Sequence, residues 1–166
     1  MCSGKTGAGR LLARRLGLRF ADSDALAERR AGMTIAALAA ARGMGAFRKL
    51  EAACVRELAA GKGRVIALGG GVYPSRRWQR ALAEGGVTVF LHCPWPELEG
   101  RLRGARGPRP LLGGNWESAA ARAGKLYKKR LPFYRLADIT VRTAGLSPAG
   151  TAAAIARGLK NENLKF

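Results

Sequence analysis

The feature that most constrains this chain is its alternation of short apolar runs with longer helical patterns. The runs Leu18-Arg19-Phe20-Ala21, Arg64-Val65-Ile66-Ala67-Leu68, Val87-Thr88-Val89-Phe90-Leu91 and Asp138-Ile139-Thr140-Val141-Arg142 read as strands. The segments between them carry apolar residues at helical spacing, such as Leu12 and Leu16, or Phe47, Leu50, Val55 and Leu58. Strands separated by helices cannot pair as tight hairpins. They form crossover units, and the stable solution is a parallel sheet covered by helices on both faces. The expected class is therefore α/β in three layers. The spacing predicts helices over Lys5–Leu16, Ala25–Arg30, Ile35–Ala41, Ser75–Ala83, Pro96–Arg103, Trp116–Arg130 and Pro148–Leu159, and a further one from Phe47. Thr34 opens the third of these and Gly43 stops it. No repeat or linker breaks the pattern, so residues 1–166 are expected to form a single domain, with a frayed tail at 160–166.

The first predicted helix opens on Gly4-Lys5-Thr6. A Gly-Lys-Thr tripeptide at a helix start is the end of a phosphate-binding loop. Backbone N–H groups and the helix N-terminus face an anion, the lysine adds a mobile charge, and the threonine hydroxyl reaches Mg²⁺. A second register, Gly4 to Gly9, also satisfies the glycine spacing. It puts Arg10 and Leu11 where lysine and a hydroxyl residue belong, and leaves a helix of barely two turns. The first register is preferred, although the first glycine of its full signature would precede Met1.

Other chemistry-bearing residues sit where the predicted strands end. Asp22-Ser23-Asp24 follows the first, at the carboxyl edge where open parallel sheets place ligands. Asp24 can also cap the helix that follows, and that role competes for one of the two acids. Gly69-Gly70-Gly71 follows the second strand and leaves bare backbone open to a ligand. Arg48 and Glu51 form an i, i+3 pair, the pattern of a surface salt bridge. His92, alone at a strand end, reads as structural. Residues 104–115 are basic and rich in glycine and proline, the composition of a lid.

Charge and cysteine usage narrow the classes further. The net charge of +19 suggests polyanionic partners. The basic residues come as scattered doublets and one triplet, Lys128-Lys129-Arg130, without aromatic interleaving, which argues against specific nucleic-acid binding. Cys2, Cys54 and Cys93 make neither a disulfide framework nor a metal-ligand pair, so a reducing cytoplasm is expected. No apolar run has the length of a membrane span.

Taken in order, Gly4-Lys5-Thr6, Asp22-Ser23-Asp24, Phe47-Arg48, Gly69-Gly70-Gly71, Arg109-Pro110-Leu111-Leu112 and Arg130-Leu131-Pro132-Phe133-Tyr134 resemble shikimate kinase over nearly the whole chain. The resemblance implies a nucleoside-monophosphate-kinase-like fold with a parallel sheet of order 2-3-1-4-5. It implies transfer of a phosphoryl group from ATP, with Mg²⁺, to the 3-hydroxyl of shikimate. By the same resemblance Cys2, Ser3, Gly4, Lys5, Thr6 and Gly7 form the nucleotide loop, and Lys5 contacts the β- and γ-phosphates. Thr6 ligates the metal and Asp22 supports it through water. Asp24 holds the shikimate hydroxyls and is the candidate base. Arg48 and Arg130 grip the carboxylate, beside Gly69, Gly70 and Gly71. Arg109 closes over the phosphates from the lid. The implied partners are shikimate and ATP, with no specific nucleic acid, no membrane and a monomeric chain.

The chain also departs from the family pattern. Met1 aligns with an internal methionine, and the family's first strand, central in the sheet, has no counterpart here. The expectation is a reading frame that starts upstream by about ten residues, one mean strand and a turn. Cys2 replaces a loop glycine. Ala144-Gly145-Leu146 stands where relatives place an arginine near adenine, so adenine contacts are unassigned. The alternatives are another small-molecule P-loop kinase, such as a gluconate kinase, or a catalytically inactive truncated relative.

Overall fold

The computed structural model describes residues 2–104 and 115–161. The elements alternate as the sequence predicts: α1 (Lys5–Leu16), β1 (Arg19–Asp22), α2 (Ser23–Ala31), α3 (Ile35–Ala60), β2 (Arg64–Ala67), α4 (Arg76–Gly85), β3 (Val89–His92), α5 (Trp95–Gly104), α6 (Trp116–Tyr134), β4 (Ile139–Arg142) and α7 (Pro148–Asn161). The class is α/β with parallel strands. Left-handed glycines bound α1 at both ends, Gly4 at φ 84° and Gly17 at φ 66°.

The strands form two parallel pairs rather than one continuous sheet: β1 with β2, and β3 with β4. The register of the first pair sets Asp22 beside Ala67, two residues before the glycine triplet. That alignment brings the Asp-Ser-Asp turn and the triplet to one edge. In the second pair His92 lies beside Arg142.

The largest core cluster joins α1, α7, β3 and β4 through Leu12, Leu91, Val141, Ile155 and Leu159. Fully burying such a side chain contributes about 1.5–3 kcal/mol, and together they anchor α1, whose N-terminus carries the phosphate-loop residues. A second cluster, Ala27, Leu38, Phe47 and Cys54, fastens α2 to α3.

Some boundaries differ from the sequence expectation. Gly43, at φ 76° and ψ 162°, breaks the segment Ile35–Ala60 into two helical halves as expected, but the second half follows across a kink with no intervening loop. The helix resumes at once because Phe47, Cys54 and Val55 give its second half a buried face. Helix α6 runs past Arg130, through Pro132, to Tyr134. The carbonyl that Pro132 leaves without a donor belongs to Lys128, an exposed residue, so the helix tolerates the proline there. Strand β3 starts later than Val87 because Thr88 is tied to Asp138, whose Oδ2 accepts from the Thr88 amide and hydroxyl at 2.7 Å each. Helix α7 extends to Asn161, two residues into the expected tail. The lid segment around Arg109 lies outside the described residues.

Candidate active site

The site is built where α1 begins and where β1 and β2 end. Gly4 caps α1 in the left-handed conformation, no side chain caps the helix, and its first turn holds no acid. The amides of that turn are therefore free for an anion, with Lys5 and Thr6 beside them. Cys2 precedes them at φ 43°, among the described residues the one non-glycine with positive φ, which puts a thiol in a backbone conformation suited to glycine. Gly9 decides the register of the loop. A Cβ there would stand 2.7 Å from the Phe20 ring, so this glycine serves helix-to-strand packing within α1 and not the phosphate loop.

The two acids divide their duties, and the cap is Asp22, not Asp24 as the sequence suggested. Asp22 is the cap of α2, its Oδ1 accepting from the amides of Asp24 at 3.0 Å and Ala25 at 3.3 Å. Its Oδ2 accepts from the Thr6 hydroxyl at 2.8 Å, which links α1 to β1. Asp24, relieved of capping, keeps its carboxylate for other work. Burial pushes the Asp24 carboxyl above its ordinary value, the Asp22 and Glu51 charges push the same way, and Lys5 opposes them. A carboxylate held short of comfortable ionisation, within reach of a lysine at a phosphate loop, is equipped to accept a proton.

The glycine triplet lies against these groups. Ser23, fully buried, accepts the Gly69 amide at 2.8 Å. A Cβ at Gly69 would sit 2.5 Å from Asp24 Oδ1 and 2.8 Å from Glu51 Oε1, and one at Gly71 would strike the Arg48 guanidinium. Gly70 offers its carbonyl to the Tyr134 hydroxyl at 2.6 Å. Burial raises the Tyr134 hydroxyl above its ordinary pKa, and neighbouring Arg130 opposes that rise. The turn thus connects Arg48 on one side with Tyr134 and Arg130 on the other. Ser3, Lys5, Gly69, Gly70 and Arg130 line one cavity. Gly69→Ala is expected to lower kcat by displacing Asp24 and to cost about 1–3 kcal/mol of stability from overpacking. Steady-state kinetics with a urea melt would check both, and an unchanged kcat would mean that Asp24 tolerates displacement.

The structure corrects a second reading of the sequence. Arg48 and Glu51 pair at 2.5 Å, but this is no surface bridge, because the Glu51 side chain is only 7% exposed. Glu51 therefore holds Arg48 from below. Helical spacing contained the signal: Glu51 is four residues from both Phe47 and Val55, which are buried on the same face. Ser23 and Tyr134 are likewise site residues to which the sequence reading gave no role. The one histidine proves structural. Its Nε2 lies 3.3 Å from the Tyr127 hydroxyl, and burial lowers its pKa.

No group of three or more acidic, histidine or cysteine side chains that could hold a metal occurs among the described residues. What the site offers is the Thr6 hydroxyl and Asp22 Oδ2, which bond one another in the structure. Hard oxygen donors in that number suit Mg²⁺, which keeps most of its waters and takes further oxygens from phosphates. No helix among the described residues is long and apolar enough to cross a membrane.

Comparison with known proteins agrees with this geometry. The family model described as shikimate kinase matches residues 1–160. A shikimate kinase of Nitratidesulfovibrio vulgaris is 43% identical over 136 residues, covering 80% of this chain and 75% of its own length. One from Moorella thermoacetica is 38% identical over 160 residues, covering 96% and 90%. Among solved structures, shikimate kinase from Acinetobacter baumannii in complex with shikimate superposes with a TM-score of 0.90 at 33% identity, covering 99% of this chain and 91% of that one.

Proposed function

The chain belongs to the shikimate kinase family and is a kinase that phosphorylates shikimate; we propose that ATP is its phosphoryl donor, that Mg²⁺ assists, and that the residues gathered above divide the work as follows. Lys5 and the free amides of α1 hold the β- and γ-phosphates, while Thr6 and Asp22 hold the metal. A bound Mg²⁺ supplies positive charge to the phosphate oxygens. Arg48, steadied by Glu51, and Arg130 beside Tyr134 take the shikimate carboxylate, the planar anion that guanidinium groups pair with best. The Gly70 amide adds a donor to the same carboxylate.

Asp24 accepts the hydrogen bond of the 3-hydroxyl and takes its proton as the oxygen attacks the γ-phosphorus. Phosphoryl transfer needs alignment and charge compensation more than covalent help. Lys5 supplies the compensation on the donor side, and we assign Arg109 the same duty from the lid. All these residues belong to one chain, so a monomer suffices. Three unpaired cysteines accord with a cytoplasmic setting.

The observation that carries this reading is the release of Asp24 from capping, which leaves a half-buried carboxylate against Gly69 and within the field of Lys5. A coupled assay of ADP formation, run with Mg²⁺ and with shikimate or gluconate, tests it. Turnover that depends on shikimate and on Mg²⁺ is the expected result. ATP consumption indifferent to shikimate, or driven equally by gluconate, would defeat the assignment.

A further inference from the structure

Two parts of the substrate site stand on segments far apart in the chain: the glycine turn after β2, and Arg130 on α6. One side chain joins them. The Tyr134 hydroxyl donates to the Gly70 carbonyl at 2.6 Å. Arg130, one turn earlier on the same helix, is close enough for its charge to act on that hydroxyl. The tyrosine ring is itself held, stacked on Phe90 of β3 with centroids 5.3 Å apart. A ring packed in this way has little freedom, so its hydroxyl is a fixed point against which the turn is set.

The turn needs such a point. Glycine has the widest choice of φ and ψ of any residue, and an unheld peptide plane between two glycines rotates at small cost. Each plane of this turn is tied once. Ser23 accepts the Gly69 amide at 2.8 Å, the Gly69 carbonyl accepts the Val72 amide at 3.1 Å, and Tyr134 holds the Gly70 carbonyl. In a trans peptide the carbonyl and the next amide point opposite ways. Fixing the Gly70 oxygen on α6 therefore aims the Gly71 amide away from α6. Gly71 itself abuts the Arg48 guanidinium. Without the Tyr134 hydroxyl that plane is free to turn, and a carbonyl oxygen turned into an anion site repels what an amide there attracts.

We propose that Tyr134 is a positioning residue for the substrate carboxylate: it sets the glycine turn and Arg130 in one register, so that their donors meet the same anion and reject an uncharged group in its place. This rests on the proposed binding of that carboxylate by Arg48, Arg130 and the Gly70 amide.

Tyr134→Phe keeps the ring and its stack on Phe90 and removes only the oxygen. Tyr73→Phe is the matched control. The Tyr73 hydroxyl donates to the Leu136 carbonyl at 3.1 Å, a second tie between the end of the glycine turn and the end of α6. The test measures kcat and KM for ATP, for shikimate and for the carboxamide of shikimate, at a temperature where circular dichroism shows the parent and both variants folded. Tyr134→Phe should raise KM for shikimate about 10-fold and leave KM for ATP within about 2-fold. Its preference for acid over amide in kcat/KM should fall by the same factor, whereas Tyr73→Phe should keep the full preference whatever it does to Tm. An undiminished preference in Tyr134→Phe would overturn the proposal. So would an equal fall in Tyr73→Phe, since both tyrosines would then be struts between α6 and the turn. If the parent enzyme takes acid and amide alike, the carboxylate assignment itself fails and the proposal with it.

Discussion

Asp24→Asn is expected to cut kcat by about 10²–10⁴-fold, the usual worth of a positioned general base, while leaving the protein at least as stable at neutral pH. The two effects share one cause. Burial and the charges of Asp22 and Glu51 raise the folded-state pKa of Asp24 above the ordinary carboxylate value of 3.8. As pH climbs through the window between that value and the raised one, the unfolded chain has given up this proton and the folded chain still holds it. Asp24 therefore favours folding below the window, and that advantage is lost as pH rises through the folded pKa. Asparagine keeps the shape and never ionises, so the variant should melt no lower at pH 7 and show a flatter dependence of Tm on pH. A loss of activity with an equally large fall in Tm would mean instead that Asp24 is a structural acid.

Arg48→Ala carries the second large effect, and two losses must be separated. Removing the guanidinium from the shikimate carboxylate should raise KM about 30-fold or more, as for truncating one partner of a desolvated charge pair. It also leaves Glu51 buried without its partner. Breaking a fully buried pair costs about 3–5 kcal/mol, and less here because the Arg48 side chain is 38% exposed. A drop in Tm of roughly 5 °C should follow. Adding Glu51→Gln to Arg48→Ala removes the stranded charge, so the double variant should recover most of the lost Tm and none of the lost affinity. Recovery of both would mean that Arg48 acts only by holding Glu51. An unchanged KM in the single variant would remove Arg48 from the site.

What the sequence discloses, and what it hides, follows from where the determining contacts lie. The limits of α1 are legible because Gly4 and Gly17 are local stop signals, each with positive φ. The order of the motifs is legible for the same reason, since each belongs to a strand end or a helix start. The division between Asp22 and Asp24 is not, because both residue types cap helices well and only the fold decides which amides each one meets. Gly43 is legible as well: it ends one helical half of α3, and the apolar face through Phe47 and Val55 starts the next directly after the kink. The separation of β2 from β3 cannot be read from either strand, since pairing is non-local and each run looks fit for the interior. Tyr134 is the plainest case of distance hiding a role: it meets the Gly70 carbonyl across 64 positions.

Asp22 has a consequence for how activity in such a chain can be lost. Its two oxygens do different jobs, one closing the first turn of α2 and the other meeting the Thr6 hydroxyl. An amide oxygen caps a helix about as well as a carboxylate does, so Asp22→Asn retains the first job and withdraws the anionic edge from the second. Selection acting on abundance, solubility or resistance to proteolysis would not register the exchange. An active lineage and a silent one can therefore lie a single atom apart, and a census of folded proteins would count them as the same.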